Sequence, residues 1–141
     1  MTDKCDFCSS ATYKRQGITE SSDAIVIYPL YPANYGHFMI VPKRHVSLFT
    51  DLTNDELISI KGLVSTLFNA FHENGQGDGF NLLSNNGQVA GQHIPHFHLH
   101  LFIRKEGETS PFDVLSKKIA VDKITKDEWD SRLKQIRSWF E

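Results

Sequence analysis

Hydrophobic residues recur along the chain at two spacings, one typical of strands and one typical of helices. The strand pattern is found in a short pair of segments around Tyr13 and Thr19, and in residues 24–28, 37–41, 80–84 and 97–103. Clusters of turn-forming residues bound these segments, as in PLYPANYG before the third and NNGQVAGQHIP before the last. The pattern therefore predicts a protein rich in short strands.

Two longer segments follow helical spacing instead. The first spans residues 53–72, where Thr53 is a good N-cap, Glu56 completes a capping box, and Leu52 can pack on Leu57. Its apolar stripe is Leu57, Ile60, Val64, Leu67, Phe68 and Phe71, and the glycine-rich residues 73–79 end it. The second helix is predicted to start at Thr125, with Glu128 as the box partner and Ile124 facing Trp129. Its stripe is Trp129, Leu133, Ile136 and Phe140.

One predicted helix lies between the strands and the other follows them, after a polar segment that contains Pro111. This order is typical of an α+β fold built on an antiparallel sheet. With 141 residues and 40% apolar content, the chain is expected to form a single domain, 1–141.

Charge and composition narrow the possible functions. The formal net charge of −2 argues against a protein that mainly binds the phosphate backbone of long nucleic acid. No apolar stretch is long enough to suggest export or membrane insertion, so a cytoplasmic protein is expected. The two cysteines, Cys5 and Cys8, are spaced C-x-x-C, which favours half of a metal site or a redox pair over a structural disulfide.

The most unusual stretch is GQHIPHFHLHLF, residues 91–102, which holds four of the seven histidines. On a strand, His96, His98 and His100 would share one face, and the apolar residues between them would share the other. Three interpretations are open: a solvated polar face, a metal site formed by the strand itself, or a nucleophilic site in which one imidazole attacks. The loop NNGQVAGQ favours phosphate chemistry, because glycines allow close backbone approach and successive N–H groups can form an anion-binding nest.

These motifs together resemble the histidine triad (HIT) superfamily of nucleotide hydrolases and transferases. HFHLHLF matches the His-φ-His-φ-His-φ-φ signature, YGHFMIVPKRH resembles the strand that ends in Pro-Lys-x-His, and NNGQVAGQ resembles the phosphate loop. The resemblance extends from about Cys5 to Ile103 and is closest to the Hint-like branch. It implies a HIT-type sheet of about five strands with helices on one side, in a homodimer whose sheet is continuous.

The resemblance also implies roles for individual residues. His98 would be the nucleophile at the α phosphorus and His100 would bind a phosphate oxygen, with His96 completing the triad. His37 would lie beside them, to orient the nucleophile, to relay protons or simply to pack. The implied phosphate contacts are Asn85, Gln92 and backbone N–H groups near residues 91–93, which include Gly91 and His93.

A structural zinc site is the second implication of the resemblance. Some members hold zinc with C-x-x-C, the histidine of Pro-Lys-x-His and the first histidine of the triad, which here are Cys5, Cys8, His45 and His96. Such a site would tether residues 1–10 to the histidine strand, leaving residues 104–141 as a C-terminal tail and helix. The alternative is a pair of free thiols.

Two positions depart from the family pattern. Pro29 stands where many members carry an Asp or Asn that contacts the ribose, and His93 stands where Ser or Thr is common. A histidine at position 93 would protonate a leaving group or lie at the rim of the site.

The function implied is hydrolysis at the α phosphate of a purine nucleoside phosphoramidate or dinucleoside polyphosphate, an AMP- or GMP-containing substrate, with no catalytic metal. His100 favours a hydrolase over a uridylyltransferase, where the family has Gln. The main alternative is a nucleotide-binding protein without turnover. An aprataxin-like role on DNA ends and a redox or metal-storage role built on the two cysteines are weaker alternatives.

Overall fold

The computed structural model describes residues 5–108 and 124–141, so the predicted polar segment around Pro111 lies outside the described residues. Three helices are described: α1 (Ser10–Gln16), α2 (Asn54–Glu73) and α3 (Lys126–Ser138). The five strands are β1 (Gly17–Glu20), β2 (Ala24–Ile27), β3 (Gly36–Pro42), β4 (Gly79–Leu83) and β5 (Leu99–Arg104). Short 3-10 turns occur at Asp6–Cys8, Phe49–Asp51 and Gln88–Ala90.

The five strands form one antiparallel sheet in the order β1-β2-β3-β5-β4. This arrangement confirms the predicted α+β class and the number of strands. Strands β3 and β5 are direct neighbours, with His37 opposite Phe102 and Met39 opposite His100. Diagonal neighbours on one face of an antiparallel pair lie within reach of long side chains, so the register brings the two histidines together.

Each face of the sheet is covered by different elements. Along β2, alternate residues enter different apolar clusters, with Val26 in one and Ile25 in the other. The larger cluster joins the sheet to α2 and α3, which agrees with the prediction that these helices share one side. The smaller cluster contains Phe7 and Tyr13, so α1 and the 3-10 turn before it cover the second face.

The two predicted helix starts are confirmed. The Thr53 hydroxyl accepts from the Glu56 N–H at 3.1 Å, and the Glu56 carboxylate accepts from the Thr53 N–H at 2.8 Å, which completes the capping box of α2. The Thr125 hydroxyl likewise accepts from the Glu128 N–H at 3.1 Å at the start of α3. The buried faces match the predicted stripes, except that Leu63 is buried on α2 whereas Leu57 is partly exposed.

Two predictions about strands were wrong. The segment around Tyr13 is helical, because Ser9 caps the first turn by accepting from the Thr12 N–H at 3.4 Å and Gly17 follows the last turn. Strand β5 begins at Leu99 rather than at Phe97. The Phe97 N–H donates to the Val46 carbonyl at 2.7 Å, outside the sheet ladder, so the chain joins the sheet only two residues later. In the described residues, no helix is both long and apolar enough to cross a membrane.

Candidate functional site

The histidine segment lies where the chain enters β5, between the sheet and the N-terminal residues. His96 and His98 are buried, His100 is partly buried, and His93 is exposed. His37 is buried on the neighbouring strand β3. The predicted alternation holds for the apolar residues between the histidines, because Phe97, Leu99, Leu101 and Ile103 all pack in the larger core cluster. The histidine side of this segment is thus left to face the second side of the sheet.

His98 is held in a defined tautomer. Its Nδ1 lies 2.9 Å from the carbonyl oxygen of His96, and a carbonyl can only accept, so Nδ1 carries the proton and donates it. The lone pair on Nε2 is therefore free. Burial lowers the pKa of His98 and keeps the imidazole neutral near pH 7. The ring of Phe7 packs against it with centroids 5.2 Å apart, so the nitrogen with the free lone pair belongs to a ring that is fixed on two sides.

A chain of hydrogen bonds sets the tautomer of His100. The Ala33 N–H donates to His37 Nδ1 at 2.9 Å, so the neutral His37 ring carries its proton on Nε2. That Nε2 lies 3.0 Å from His100 Nδ1 and donates to it. The proton of neutral His100 is consequently on Nε2. His100 lines a cavity next to the histidine segment, so it can offer this N–H to an acceptor bound there.

Burial keeps both members of this chain neutral. The pKa of His37 is lowered to about 3, mainly by burial and to a smaller extent by the neighbouring His100. Burial also lowers the pKa of His100 to about 4, with a smaller contribution from His98. The ring of Phe102 stacks on His37 at 4.3 Å and restricts its rotation. Two neutral imidazoles can form a directional donor chain, which two cations could not.

The pKa of His37 makes stability depend on pH. The folded value of about 3 lies below the ordinary value of 6.5, so the unfolded chain binds the proton first as the pH falls. The contribution of neutral His37 to the free energy of unfolding is complete above pH 6.5 and is lost as the pH falls toward 3. We expect His37 to account for a loss of about 2 kcal/mol between pH 7 and pH 5. Urea unfolding at both pH values, compared between wild type and His37→Gln, measures this. An equal pH effect in the two proteins would contradict the assignment.

The loop before the histidines is braced by its own side chains and by two glycines. Gly87 and Gly91 adopt φ of +93° and +96°, a region that other residues rarely occupy. The side chain of Gln92 is buried; its oxygen accepts from the Gly87 N–H at 2.8 Å and its nitrogen donates to the Ser47 carbonyl at 2.8 Å. Both ends of the Gln92 amide are therefore hydrogen-bonded to backbone groups, and the residue does not line the cavity that contains His98.

The predicted row of free backbone donors is only partly supported. The Gly91 N–H donates to the Gln88 carbonyl at 3.0 Å and the Gln92 N–H to the Gly87 carbonyl at 3.1 Å, so both are used inside the loop. Among the three predicted donors, the described structure leaves the His93 N–H without such a bond. Asn85 and Gly91 do line the cavity.

The histidines open onto a cavity of about 520 Å³, a size typical of small-molecule sites. Four histidines line it, His37, His93, His98 and His100, together with the loop residues Asn85 and Gly91. Its remaining wall includes Pro29 and the exposed Tyr31. Pro29 contributes no polar side-chain atom, and its carbonyl already accepts from the Trp129 indole N–H at 2.7 Å.

Sequence reasoning missed the wall that the N-terminal residues contribute. Asp6 and Phe7 from the first 3-10 turn, and Thr12 and Gln16 from α1, line the same cavity as the histidines. They were missed because the segment around Tyr13 was predicted to belong to a short pair of strands. The signal was the N-cap Ser9 directly after the second cysteine, which the short length of α1 made easy to overlook.

The four residues predicted to hold a metal come together. The Sγ of Cys5 and the Sγ of Cys8 each lie 3.4 Å from His96 Nδ1, and the Sγ of Cys8 lies 3.1 Å from His45 Nδ1. All four donor atoms lie within 4.8 Å of one another. In a tetrahedral zinc site the edges between sulfur and nitrogen ligands measure about 3.3–3.8 Å. The donor set and its spacing fit a four-coordinate metal, whereas a redox pair would not require the two imidazoles.

A hydrogen bond orients the buried member of this cluster. His96 is fully buried, and its Nε2 donates to the Pro42 carbonyl at 2.8 Å. The lone pair of Nδ1 is consequently directed at the cysteines, as metal-binding histidines require. Phe7, between the two cysteines, packs on the rings of His96 and His98 at 5.9 and 5.2 Å. The metal cluster and the cavity wall are therefore parts of one structural unit.

Comparisons with known sequences agree with this architecture. A model of the HIT domain matches residues 11–107. An uncharacterised HIT-like protein of Methanocaldococcus jannaschii is 35% identical over 107 residues, which cover 74% of this chain and 81% of that protein. A bis(5′-adenosyl)-triphosphatase of Dictyostelium discoideum is 29% identical over 87% of this chain and 83% of its own. An adenosine 5′-monophosphoramidase of Candida albicans is 29% identical over 71% of this chain and 75% of its own length.

Solved structures agree as well. A histidine triad nucleotide-binding protein of Sulfolobus tokodaii superposes with a TM-score of 0.75 at 27% identity, covering 96% of this chain and 91% of that one. A zinc-bound histidine triad family protein of Mycobacterium smegmatis shares the fold, with a TM-score of 0.74 at 22% identity. The match covers 99% of this chain and 97% of that one. The HIT model spans more than half of the chain and a close relative carries the same family assignment, so this protein belongs to the HIT family.

Proposed function

We propose that this protein hydrolyses nucleotides at the α phosphate through a covalent histidyl-nucleotide intermediate. The observation that carries the proposal is the tautomer of His98, whose Nδ1 proton is held by the His96 carbonyl so that Nε2 has a free lone pair beside the cavity. A neutral imidazole is a competent nucleophile near pH 7. The family includes nucleotide hydrolases, among them the triphosphatase and the phosphoramidase reported above.

The proposed reaction has two displacements at phosphorus. In the first, a bond forms between Nε2 of His98 and the α phosphorus, and the bond from phosphorus to the leaving group breaks. In the second, water attacks the same phosphorus, the bond to Nε2 breaks, and the nucleoside monophosphate is released. Splitting one difficult step into two is useful here because an imidazole is both a good nucleophile and a good leaving group.

The neighbouring histidines would support the charge that develops during these steps. The N–H on Nε2 of His100 is available to a non-bridging phosphate oxygen, since the other nitrogen accepts from His37. A donor already fixed in place stabilises charge without reorganisation. Asn85 and the His93 N–H would contribute further donors from the loop, and His96 would act through its carbonyl, which holds His98.

We propose that the metal bound by the four-residue cluster is zinc and that its role is structural. The set has two thiolates and two imidazoles, which is a common zinc set with no position left for substrate. When bound, the ion would fix the N-terminal wall of the cavity. His96 would then couple the cluster to His98, while the reaction itself would use only protein side chains and water.

A substrate assay tests the proposed function. The protein is incubated with an adenosine 5′-phosphoramidate of lysine and, separately, with diadenosine triphosphate, and AMP release is followed by chromatography. We expect AMP from at least one substrate and, after quenching in base, a protein mass increased by one AMP. Binding of AMP without either product would favour the alternative, a nucleotide-binding protein without turnover, for which Pro29 and His93 are the suspect positions. A homodimer and a cytoplasmic location stay predictions.

A further inference from the structure

The cavity of about 520 Å³ has two chemically different sides. Histidines and the loop before them line one side, which the proposed reaction uses. Another wall comes from the N-terminal residues and carries three polar side chains, Asp6, Thr12 and Gln16, here called the acceptor wall. The proposed reaction gives the acceptor wall no role.

The sheet shows how far the acceptor wall lies from the histidines. Met39 of β3 lies opposite both His100 of β5 and Ile27 of β2, and Ile27 lies opposite Gly17 of β1. Neighbouring strands are about 4.8 Å apart, so Gly17 lies roughly 14 Å from His100 across the sheet. Gln16 directly precedes Gly17. A ligand that contacts both sides must therefore span several strands, as a nucleotide does between its phosphate and its base.

Gln16 presents an unpaired acceptor to the cavity. Only 9% of its surface is exposed, and its Nε2 donates to the Tyr28 carbonyl at 2.9 Å, which fixes the amide. Within residues 5–108 and 124–141, the structure gives the Gln16 Oε1 no hydrogen-bond partner, yet this oxygen is not sealed from the cavity. An amide oxygen only accepts, so it requires a donor from a bound molecule.

Asp6 adds a carboxylate to the same wall. Its side chain is exposed and has no hydrogen bond or ion pair in the part of the chain that the structure describes. The neighbouring Phe7 packs on the ring of His98 at 5.2 Å and on apolar residues of β2 and β3, which holds the turn that carries Asp6. Thr12 adds a hydroxyl, which accepts or donates. The acceptor wall thus offers more acceptors than donors.

We propose that the acceptor wall binds a guanine base and that the Asp6 carboxylate selects it. The inference rests on the nucleotide site of the proposed function, with the α phosphate beside His98. Guanine carries N1–H and a 2-amino group on adjacent ring atoms, so one carboxylate can accept from both in a charge-assisted pair. The free Oε1 of Gln16 can accept the remaining N–H of the amino group.

The other bases fit these acceptors less well. Adenine has a lone pair at N1 beside its amino group, and cytosine has one at N3, so either base would set a lone pair against the carboxylate. Uracil has a single N–H between two carbonyl oxygens. An acceptor that faces a lone pair loses a hydrogen bond and is repelled. The carboxylate also repels a phosphate, so the nucleotide is bound in one direction only.

The ribose hydroxyls are the other donors of a nucleotide. The ribose is joined to the phosphate through one carbon, so it lies nearer to the histidines than the base does. Exposed apolar side chains beside the acceptor wall, Leu30 at 50% and Tyr31 at 76% exposure, suit the flat face of a base rather than a sugar. Stacking on an aromatic ring tolerates every base, so selection between bases is left to the acceptor wall.

Equilibrium binding tests the inference without any turnover. Wild type is titrated by calorimetry with GMP, IMP, AMP and 2′-deoxy-GMP. We expect GMP to bind about 30-fold more tightly than AMP, with IMP between them, because hypoxanthine keeps N1–H but lacks the 2-amino group. The 2′-deoxy nucleotide should bind within about 3-fold of GMP, since it presents the same base to the acceptors.

Asp6→Asn should reverse the preference. Its amide oxygen can accept from the adenine amino group while its N–H donates to a ring nitrogen, which is how an amide side chain pairs with adenine. We expect AMP to bind this variant more tightly than GMP, and a gain of AMP affinity cannot result from a damaged site. Asp127→Asn, which removes an exposed carboxylate of α3 that does not line the cavity, should keep the wild-type preference.

The outcomes separate this inference from the proposed reaction. Equal affinities of wild type for GMP and AMP would overturn the inference and leave the hydrolase proposal standing, because AMP release is measured separately. A loss for 2′-deoxy-GMP as large as the loss for AMP would also overturn it, because the acceptors would then contact the ribose. A clear preference for GMP in a protein that hydrolyses no nucleotide would support the inference and overturn the hydrolase proposal.

Discussion

Replacing His98 with alanine is expected to lower kcat for nucleotide hydrolysis by about 10⁴-fold or more and to abolish the covalent AMP adduct. The residue supplies the nucleophile of the first proposed step, and among the described residues no neighbouring imidazole has both a free lone pair and the same position. His100 has its Nδ1 occupied by His37 and its proton on Nε2. Quenched-flow mass spectrometry of the protein with an adenosine phosphoramidate, beside a steady-state assay, measures both quantities.

His72→Gln is the matched control for this experiment, because His72 lies at the end of α2 and its Nδ1 donates to the Gly77 carbonyl at 2.8 Å. It should retain the adduct and the turnover. An adduct of undiminished yield on His98→Ala would show that another residue is the nucleophile. AMP release without any detectable adduct on wild type would instead point to direct attack by water.

Removing Cys8, a proposed metal ligand, is expected to have the largest effect on stability. If the proposed zinc site is correct, Cys8→Ser loses the ion and lowers the free energy of unfolding by about 4 kcal/mol, since ligand loss leaves the buried His96 without its partner. Metal content is measured by mass spectrometry of the purified protein, and stability by urea unfolding. The exposed position of Cys8 makes the substitution itself sterically mild.

A chelator provides the internal control for the metal. A strong zinc chelator should destabilise wild type to the level of Cys8→Ser and leave Cys8→Ser unchanged, because only wild type has an ion to lose. Wild type whose unfolding curve is unaffected by complete removal of the metal would show that the four residues are held together by packing alone. Both proteins should keep the sheet, whose core cluster contains none of the four ligands.

Local signals in the sequence were sufficient for most of the fold. The capping box at Thr53 and the cap at Thr125 depend on residues three apart, so they are visible without tertiary information. The strands bounded by Gly, Pro and Asn were found for the same reason. Helix α1 was missed because seven residues give too few turns for a periodic signal, and a helix this short depends on packing, here against β1, β2 and the 3-10 turn before it.

The site was predictable to a different degree. The resemblance to the HIT family brought His98, His100 and the four candidate metal ligands into consideration, and the structure places the members of each group together. The direction of each hydrogen bond could not be inferred from the sequence, since the tautomer of His100 depends on a backbone N–H at Ala33. The hydrogen bond from the Gln92 side chain to the Ser47 carbonyl, 45 positions away, could not be inferred from the sequence either.

The contact between Cys5 and His96 also has a consequence for how the protein is made. These residues are 91 positions apart, so during synthesis Cys5 leaves the ribosome well before its partner exists. Contacts of such long range form late, because closing the intervening chain costs entropy that only a nearly complete fold repays. Until residue 96 has emerged, the two thiols have no native imidazole partner from the triad. The histidine segment and the N-terminal residues can therefore come together only after residue 96 has emerged, so a chain interrupted before His96 cannot form the cluster of two cysteines and two histidines.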